Sequence, residues 1–292
     1  MRSPANDSRN AMAGGALAAR ISMSDRLAGL AVLFAAVSAA VGLFVPDLYR
    51  DSDAWIRQAR AADLVTLVAV VPALAVGLWR ARAGSDGARM VALAGLGYLA
   101  YNYAIFGFSV AINPMTPLHI AILGLSVWSL VLATIALTGR PREPAVGSHL
   151  PPRPTAAFLL AVPALFGLMW SGQIAQAISS GVSPEQLAEL GLPTNPVYTL
   201  DLAFALPFLA GSGILLLRRA RAGAAIAVAA LGWVFLMGLG VLAIFAFDAA
   251  AGAAVPVPVV LVMCAITGVA GVLTTAGLLQ PRHDAAMAPA AP

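Results

Sequence analysis

The chain has 292 residues, of which 60% are hydrophobic and only 10% are charged, and its mean hydropathy is +0.87. A soluble domain usually carries about 25% charged residues, so this composition excludes an ordinary water-soluble globular protein. All 17 basic residues are arginine, and the 13 acidic residues leave a net charge of +4. The arginines stand in short clusters between apolar runs, which is typical of a membrane protein and not of a nucleic-acid-binding one.

Eight runs of the sequence are apolar and long enough to cross a bilayer, since a span needs about 20 mostly apolar residues. In chain order these runs are 27–45, 63–80, 89–111, 116–138, 155–176, 200–217, 222–247 and 255–279. The sequence therefore predicts an all-α polytopic integral membrane protein with about eight transmembrane helices. We expect the helices to pack closely through glycine and alanine, because small residues allow helix backbones to approach each other in lipid.

The segments outside these runs divide the chain into halves. Residues 1–22 and 280–292 are polar or rich in alanine, glycine and proline, and both are predicted to be disordered cytoplasmic tails. Between them we predict one membrane half at 23–139, a cytoplasmic linker at 140–154 and a second half at 155–279.

The first apolar run has the basic flank of a signal peptide, but it is longer than the usual apolar core of about 7–15 residues. We therefore expect this run to be an uncleaved span. Met23 is an alternative first residue of the protein.

The distribution of arginine predicts which way the helices cross the membrane. With the N-terminus in the cytoplasm, only Arg50, Arg57 and Arg60 of the 17 arginines fall in outer segments. Basic residues are enriched in cytoplasmic loops, so both termini are predicted to be cytoplasmic, as an even number of spans requires. The expected location is a bacterial-type cytoplasmic (inner) membrane.

The two halves resemble each other in sequence. Asp63 and Asp201 each open an apolar run that reaches an arginine cluster 17 residues later. A short segment precedes each aspartate, and in the second half Ser183 is a candidate helix cap. These echoes favour two parallel four-helix repeats, and the alternative is chance similarity between alanine- and leucine-rich helices. Pro72 and Pro207 fall nine and six residues after their aspartates, which argues against equivalent positions for the two prolines.

Polar side chains inside the predicted spans are the informative ones, because a membrane interior disfavours polarity. Most of them fall in the predicted outer half, and the candidate ligand-binding residues are Asp63, Tyr98, Tyr101, Asn102, His119, Tyr198 and Asp201. We expect their side chains to line one outward-facing cavity. Each also has a simpler interpretation: a helix cap for the aspartates, a membrane-interface position for the tyrosines and His119, and a contact between helices for Asn102.

The sequence predicts no metal site, no cofactor and no catalytic residue. Zinc needs three or four histidine, cysteine or carboxylate ligands, and His119 is the one histidine inside a predicted span. The single cysteine, Cys264, lies in an apolar run and cannot form an internal disulfide. A hydrolase is an alternative that no sequence motif supports. It would use His119 with Asp63 or Asp201, and its nucleophile would be Ser109 or Ser126.

The predicted function is binding or translocation of a small or lipid-like ligand. Aromatic walls with few polar groups suit a mostly apolar ligand. The expected partners are membrane lipid and this ligand, with a membrane protein partner as a further candidate and no nucleic acid. Two alternatives stay open: a non-catalytic structural or accessory subunit of a membrane complex, and a membrane enzyme acting on a lipid or isoprenoid.

Overall fold

The computed structural model describes residues 22–138 and 146–279, and within these ranges it contains helices and no strand. Eight of the described helices are long and apolar enough to span a membrane. They are α1 (Met23–Phe44), α2 (Asp53–Arg82), α3 (Asp86–Ser109), α4 (Thr116–Thr138), α5 (Pro152–Ser180), α7 (Pro196–Leu217), α8 (Gly223–Ala250) and α9 (Val257–Leu278). A short helix, α6 (Glu185–Leu190), precedes α7. The prediction of an all-α polytopic membrane protein with eight spans is confirmed.

Successive spans alternate in direction and give the bundle two ends. Residues 1–21 and 280–292 of the predicted tails and residues 140–145 of the predicted linker lie outside the described residues, and α5 begins inside that linker. The arginine-rich end carries the loops 83–85, 146–151 and 218–222. The arginine-poor end carries the loops 45–52, 110–115, 181–195 and 251–256.

Five of the helices begin earlier than their predicted spans, and in two of them the earlier start changes the place of an aspartate. α2 begins at Asp53 and α7 at Pro196, so Asp63 and Asp201 lie inside these helices. The interpretation of the two aspartates as helix caps is therefore wrong. The physical reason is that the segment before Asp63 is amphipathic and buries one face, so it continues the span and does not form a separate surface helix.

Other side chains cap the helices at the arginine-poor end. The side chains of Ser52 and Asn195 accept hydrogen bonds from backbone N–H groups of the first turn, at 3.3 and 3.0 Å. The predicted cap at Ser183 does not form, because α6 begins only at Glu185 and its first flanking residue is Pro184. Gly191 follows the last residue of α6, and its φ of 69° is the left-handed conformation that glycine adopts without strain.

Both α2 and α7 contain a π-helical turn followed by a proline. The π turns span Thr66–Val70 and Asp201–Ala205, and Pro72 and Pro207 are each the second residue after the turn. Proline has no backbone N–H and its ring crowds the preceding helical turn, so the wider π turn accommodates it. The two prolines thus hold equivalent places relative to the π turns. Asp63 and Asp201, which the sequence similarity aligns, do not hold equivalent places relative to these turns.

The first half of the bundle is a closed ring of α1, α2, α3 and α4. α1 packs on α4, where the hydroxyls of Ser24 and Ser129 each donate to the other residue's carbonyl oxygen, at 3.0 and 2.9 Å. α1 also buries Ala28, Ala31 and Ala35 completely or nearly so. Small residues at this spacing let α1 lie close to its neighbours.

The second half of the bundle is open. α5 packs on α7, and α9 packs on α8, but in the described residues α5 and α9 are not packed side by side. The halves meet at α3 and α8, where a Cβ atom at Gly232 would lie 3.0 Å from the Cβ of Ala94. Glycine therefore permits the close approach of these two central helices, in agreement with the packing expected from the sequence.

Candidate functional site

A cavity of about 500 Å³ extends from the arginine-poor end toward the middle of the bundle. Its wall includes Val110, Asn195 and Pro256, which lie in or beside loops at that end, and the deeper residues Leu209 and Trp233. Residues of α2, α3, α5, α6, α7, α8 and α9 line the cavity. Ligand sites usually have volumes of about 300–1,000 Å³, so the cavity is large enough for a small organic molecule.

The structure places four of the seven predicted site residues on this wall, namely Tyr98, Tyr101, Asn102 and Asp201. Tyr98 is 2% exposed, and its hydroxyl lies 3.5 Å from a backbone carbonyl of α2. The side-chain amide nitrogen of Asn102 has no hydrogen-bond partner among the described residues. The remaining three, Asp63, His119 and Tyr198, are not on the wall.

Asp201 is the central polar group of the cavity. Its carboxylate accepts hydrogen bonds from the Tyr101 hydroxyl of α3 and from the Trp170 indole N–H of α5, both at 2.8 Å. It is the one charged side chain on the wall among the described residues. Both donors are neutral, so they orient the carboxylate without balancing its charge. The π turn of α7 positions it.

Aromatic rings lie on the cavity wall beside this carboxylate. Trp233 of α8 lies edge-on to Tyr101, with ring centroids 5.8 Å apart. Tyr198 does not line the cavity but supports its wall from behind, because its ring lies 5.1 Å from that of Trp170. The Tyr198 hydroxyl donates to the Gln173 side-chain oxygen at 2.5 Å. Each ring is thus held either by a hydrogen bond or by another ring.

Sequence reasoning missed Trp170 and Trp233, because tryptophan in a span is common at membrane interfaces and does not by itself indicate a site. The available signal was Gln173, which is three residues after Trp170 and therefore on the same helix face. Gln186 of α6 also lines the cavity.

Asp63 belongs to a separate buried cluster in the first half. It is 1% exposed, and its carboxylate accepts a hydrogen bond from the Tyr49 hydroxyl at 2.5 Å. Burial, together with the negative charge of Asp63, raises the pKa of the Tyr49 phenol, which therefore stays protonated and able to donate. A Cβ atom at Gly42 of α1 would collide with this carboxylate. Asp63 is thus a contact between α1, α2 and the 45–52 loop.

His119 is also buried away from the cavity, at 1% exposure. Its ring packs against those of Phe106 and Tyr103, with centroids 5.1 and 5.6 Å away. Neither ring nitrogen has a hydrogen-bond partner among the described residues, and neither does the Ser126 hydroxyl. The two side chains therefore do not form a hydrogen-bonded nucleophile–base pair.

Polar contacts at the arginine-poor end tie loops and helices together around the cavity. Arg57 of α2 and Asp248 of α8 form an ion pair at 2.8 Å. The Asp51 carboxylate accepts a hydrogen bond from the backbone N–H of Ala111 at 2.9 Å, and burial raises the pKa of this carboxyl group. These contacts join the two halves and fix the 45–52 loop against the loop that follows α3.

Comparison of the chain with protein families, with curated proteins and with solved structures finds no match. The function is therefore argued from the cavity residues themselves.

Proposed function

We propose that this protein binds or translocates a small or lipid-like ligand that is mostly apolar. The cavity carries this proposal, because a volume of about 500 Å³ is bounded by aromatic and aliphatic side chains with few polar groups among them. Sites of this composition bury an apolar ligand and use the polar groups to orient it.

The proposed setting is a bacterial-type cytoplasmic membrane, with both termini in the cytoplasm and the arginine-poor end outside. The excess of arginine at the other end supports this orientation. The cavity would then open outward. The unpacked side between α5 and α9 would also give a ligand dissolved in the bilayer a lateral path to the same cavity. Membrane lipid is the proposed partner in either case.

Two parallel four-helix repeats remain part of the proposal. The shared π turn and proline of α2 and α7 support a duplication more strongly than the aspartates do, since they hold equivalent places in the two helices.

Native mass spectrometry of the protein extracted from its own membrane in mild detergent tests the binding function. Met237→Trp would fill part of the cavity, because Met237 lies on its wall. Leu168→Trp is the matched control, since Leu168 is 77% exposed on α5 and does not line the cavity. We expect the wild type and the control to carry a discrete bound mass and the Met237→Trp protein to lack it.

The same measurement can overturn the proposal. If all three proteins carry the same mixture of phospholipids, the cavity does not select a ligand. If a second protein chain is retained equally by all three with no bound small molecule, the accessory-subunit alternative replaces the binding function.

A further inference from the structure

We infer that the ligand carries a quaternary ammonium head, and that Asp201 with the rings of Tyr101, Trp170 and Trp233 binds that head. The inference rests on the proposed function, because it assigns the chemistry of the ligand to the same cavity. It goes further by giving the ligand a charge and a shape.

The first argument is the uncompensated charge of the cavity. Asp201 is the one charged side chain on the wall among the described residues, and both groups that donate to it are neutral. Arg57 lies at the same end of the bundle, but it is paired with Asp248. A nearby opposite charge favours the ionised form of a partly buried carboxylate. The described wall supplies no such charge, and a cationic ligand would.

The second argument decides which kind of cation fits. A metal ion binds several oxygen ligands at about 2.0–2.6 Å, whereas the described residues contain no group of three or more histidine, cysteine or carboxylate side chains placed to hold one. Tyr101 and Trp170 contact the carboxylate, and Trp233 contacts Tyr101. A cation is attracted to a ring face within about 6 Å of its centroid. A methylated ammonium group needs no hydrogen-bond acceptor of its own. It can therefore lie against Tyr101, Trp170 and Trp233 while the carboxylate balances its charge.

The third argument concerns the rest of the ligand. Beyond the rings the wall is aliphatic, with Val162 of α5, Met237 of α8 and Met263 of α9. These side chains suit an alkyl chain that lies toward the unpacked side between α5 and α9. A single cavity thus offers a cationic subsite beside Asp201 and an apolar subsite next to it, which matches a cationic amphiphile.

The test compares dodecyltrimethylammonium with its neutral analogue, in which a carbon atom replaces the nitrogen. Dissociation constants are measured by calorimetry on the full chain in lipid nanodiscs at low ionic strength. The wild type is expected to bind the ammonium probe at least about tenfold more tightly than the neutral one. Asp201→Asn should remove this preference, by lowering the affinity for the ammonium probe to that for the neutral one. Asp53→Asn is the matched control, because Asp53 is exposed at the same end and does not line the cavity.

The outcomes separate the two proposals. Equal affinity of the wild type for both probes overturns the cationic head and leaves the binding of apolar ligands in place. If neither probe binds with saturation, the binding function itself fails. Trp233→Leu is a second variant that leaves both hydrogen bonds of Asp201 intact, and it should weaken the ammonium probe several-fold more than the neutral one. The inference is overturned if Trp233→Leu weakens both probes equally, or if Asp53→Asn has the same effect as Asp201→Asn.

Discussion

Replacing Gly42 by alanine should destabilise the protein, whereas the same change at Gly29 in the same helix should not. A Cβ atom at Gly42 would collide with the Asp63 carboxylate and the Tyr49 hydroxyl, while a Cβ at Gly29 meets no atom within 4 Å. Relief of the collision breaks the bond between Tyr49 and Asp63. Loss of a hydrogen bond to a charged group costs about 1.5–3 kcal/mol, and alanine restores about 1 kcal/mol of helix propensity. The net loss at Gly42 is about 0.5–2 kcal/mol.

Thermal unfolding in detergent, followed by circular dichroism, measures this difference. In a protein of this size about 1 kcal/mol shifts the midpoint by roughly 2–4 °C, so Gly42→Ala should lower it by a few degrees and Gly29→Ala should hold or raise it. In an Asp63→Ala background most of the loss caused by Gly42→Ala should disappear, because the colliding carboxylate is gone. The reasoning is refuted if both glycine variants lower the midpoint equally, or if the loss persists in full without the carboxylate.

Two further predictions concern the ends of the bundle. Arg57→Ala, Asp248→Ala and the double variant should show a coupling of about 0.2–1 kcal/mol in thermal unfolding, because both side chains are partly exposed, and the coupling should shrink in about 1 M salt. Additive effects of the two changes would contradict the ion pair. In a Cys264→Ala background, a membrane-impermeant maleimide applied to intact cells should label Ser183→Cys and spare Ser148→Cys, since the two serines are exposed at opposite ends. The opposite labelling pattern would reverse the proposed orientation.

The architecture could be predicted because it follows from one-dimensional properties of the chain. Uninterrupted apolar runs between arginine clusters determine the spans, and no tertiary information is needed to count them. The helix starts could not be predicted in the same way. The polar segment before Asp63 reads as a surface helix, and only packing of its apolar face, with Trp55 and Ala59 buried, shows that it continues the span.

The candidate site was only partly predictable, because helical rotation decides which side chains face the cavity. The spacing of Tyr98 and Asn102 correctly predicts that they share a face, and both line the cavity. The spacing does not show that His119, one turn into the next span, faces the rings of α3 and not that cavity. The role of Trp170 could not be predicted for the same reason, because its hydrogen bond to Asp201 joins residues on different helices.

The contrast between the two aspartates follows from how the halves close. In the first half α1 packs on α4 through Ser24 and Ser129, so the ring is complete and Asp63 is enclosed with a tyrosine as its donor. In the second half α5 and α9 stay apart, and Asp201 is left on the wall of a cavity. A carboxylate enclosed in a closed ring can only contribute to packing. A carboxylate of the same type on an open, aromatic wall can exchange partners with a ligand, and for this reason we place the proposed binding site at Asp201 and not at Asp63.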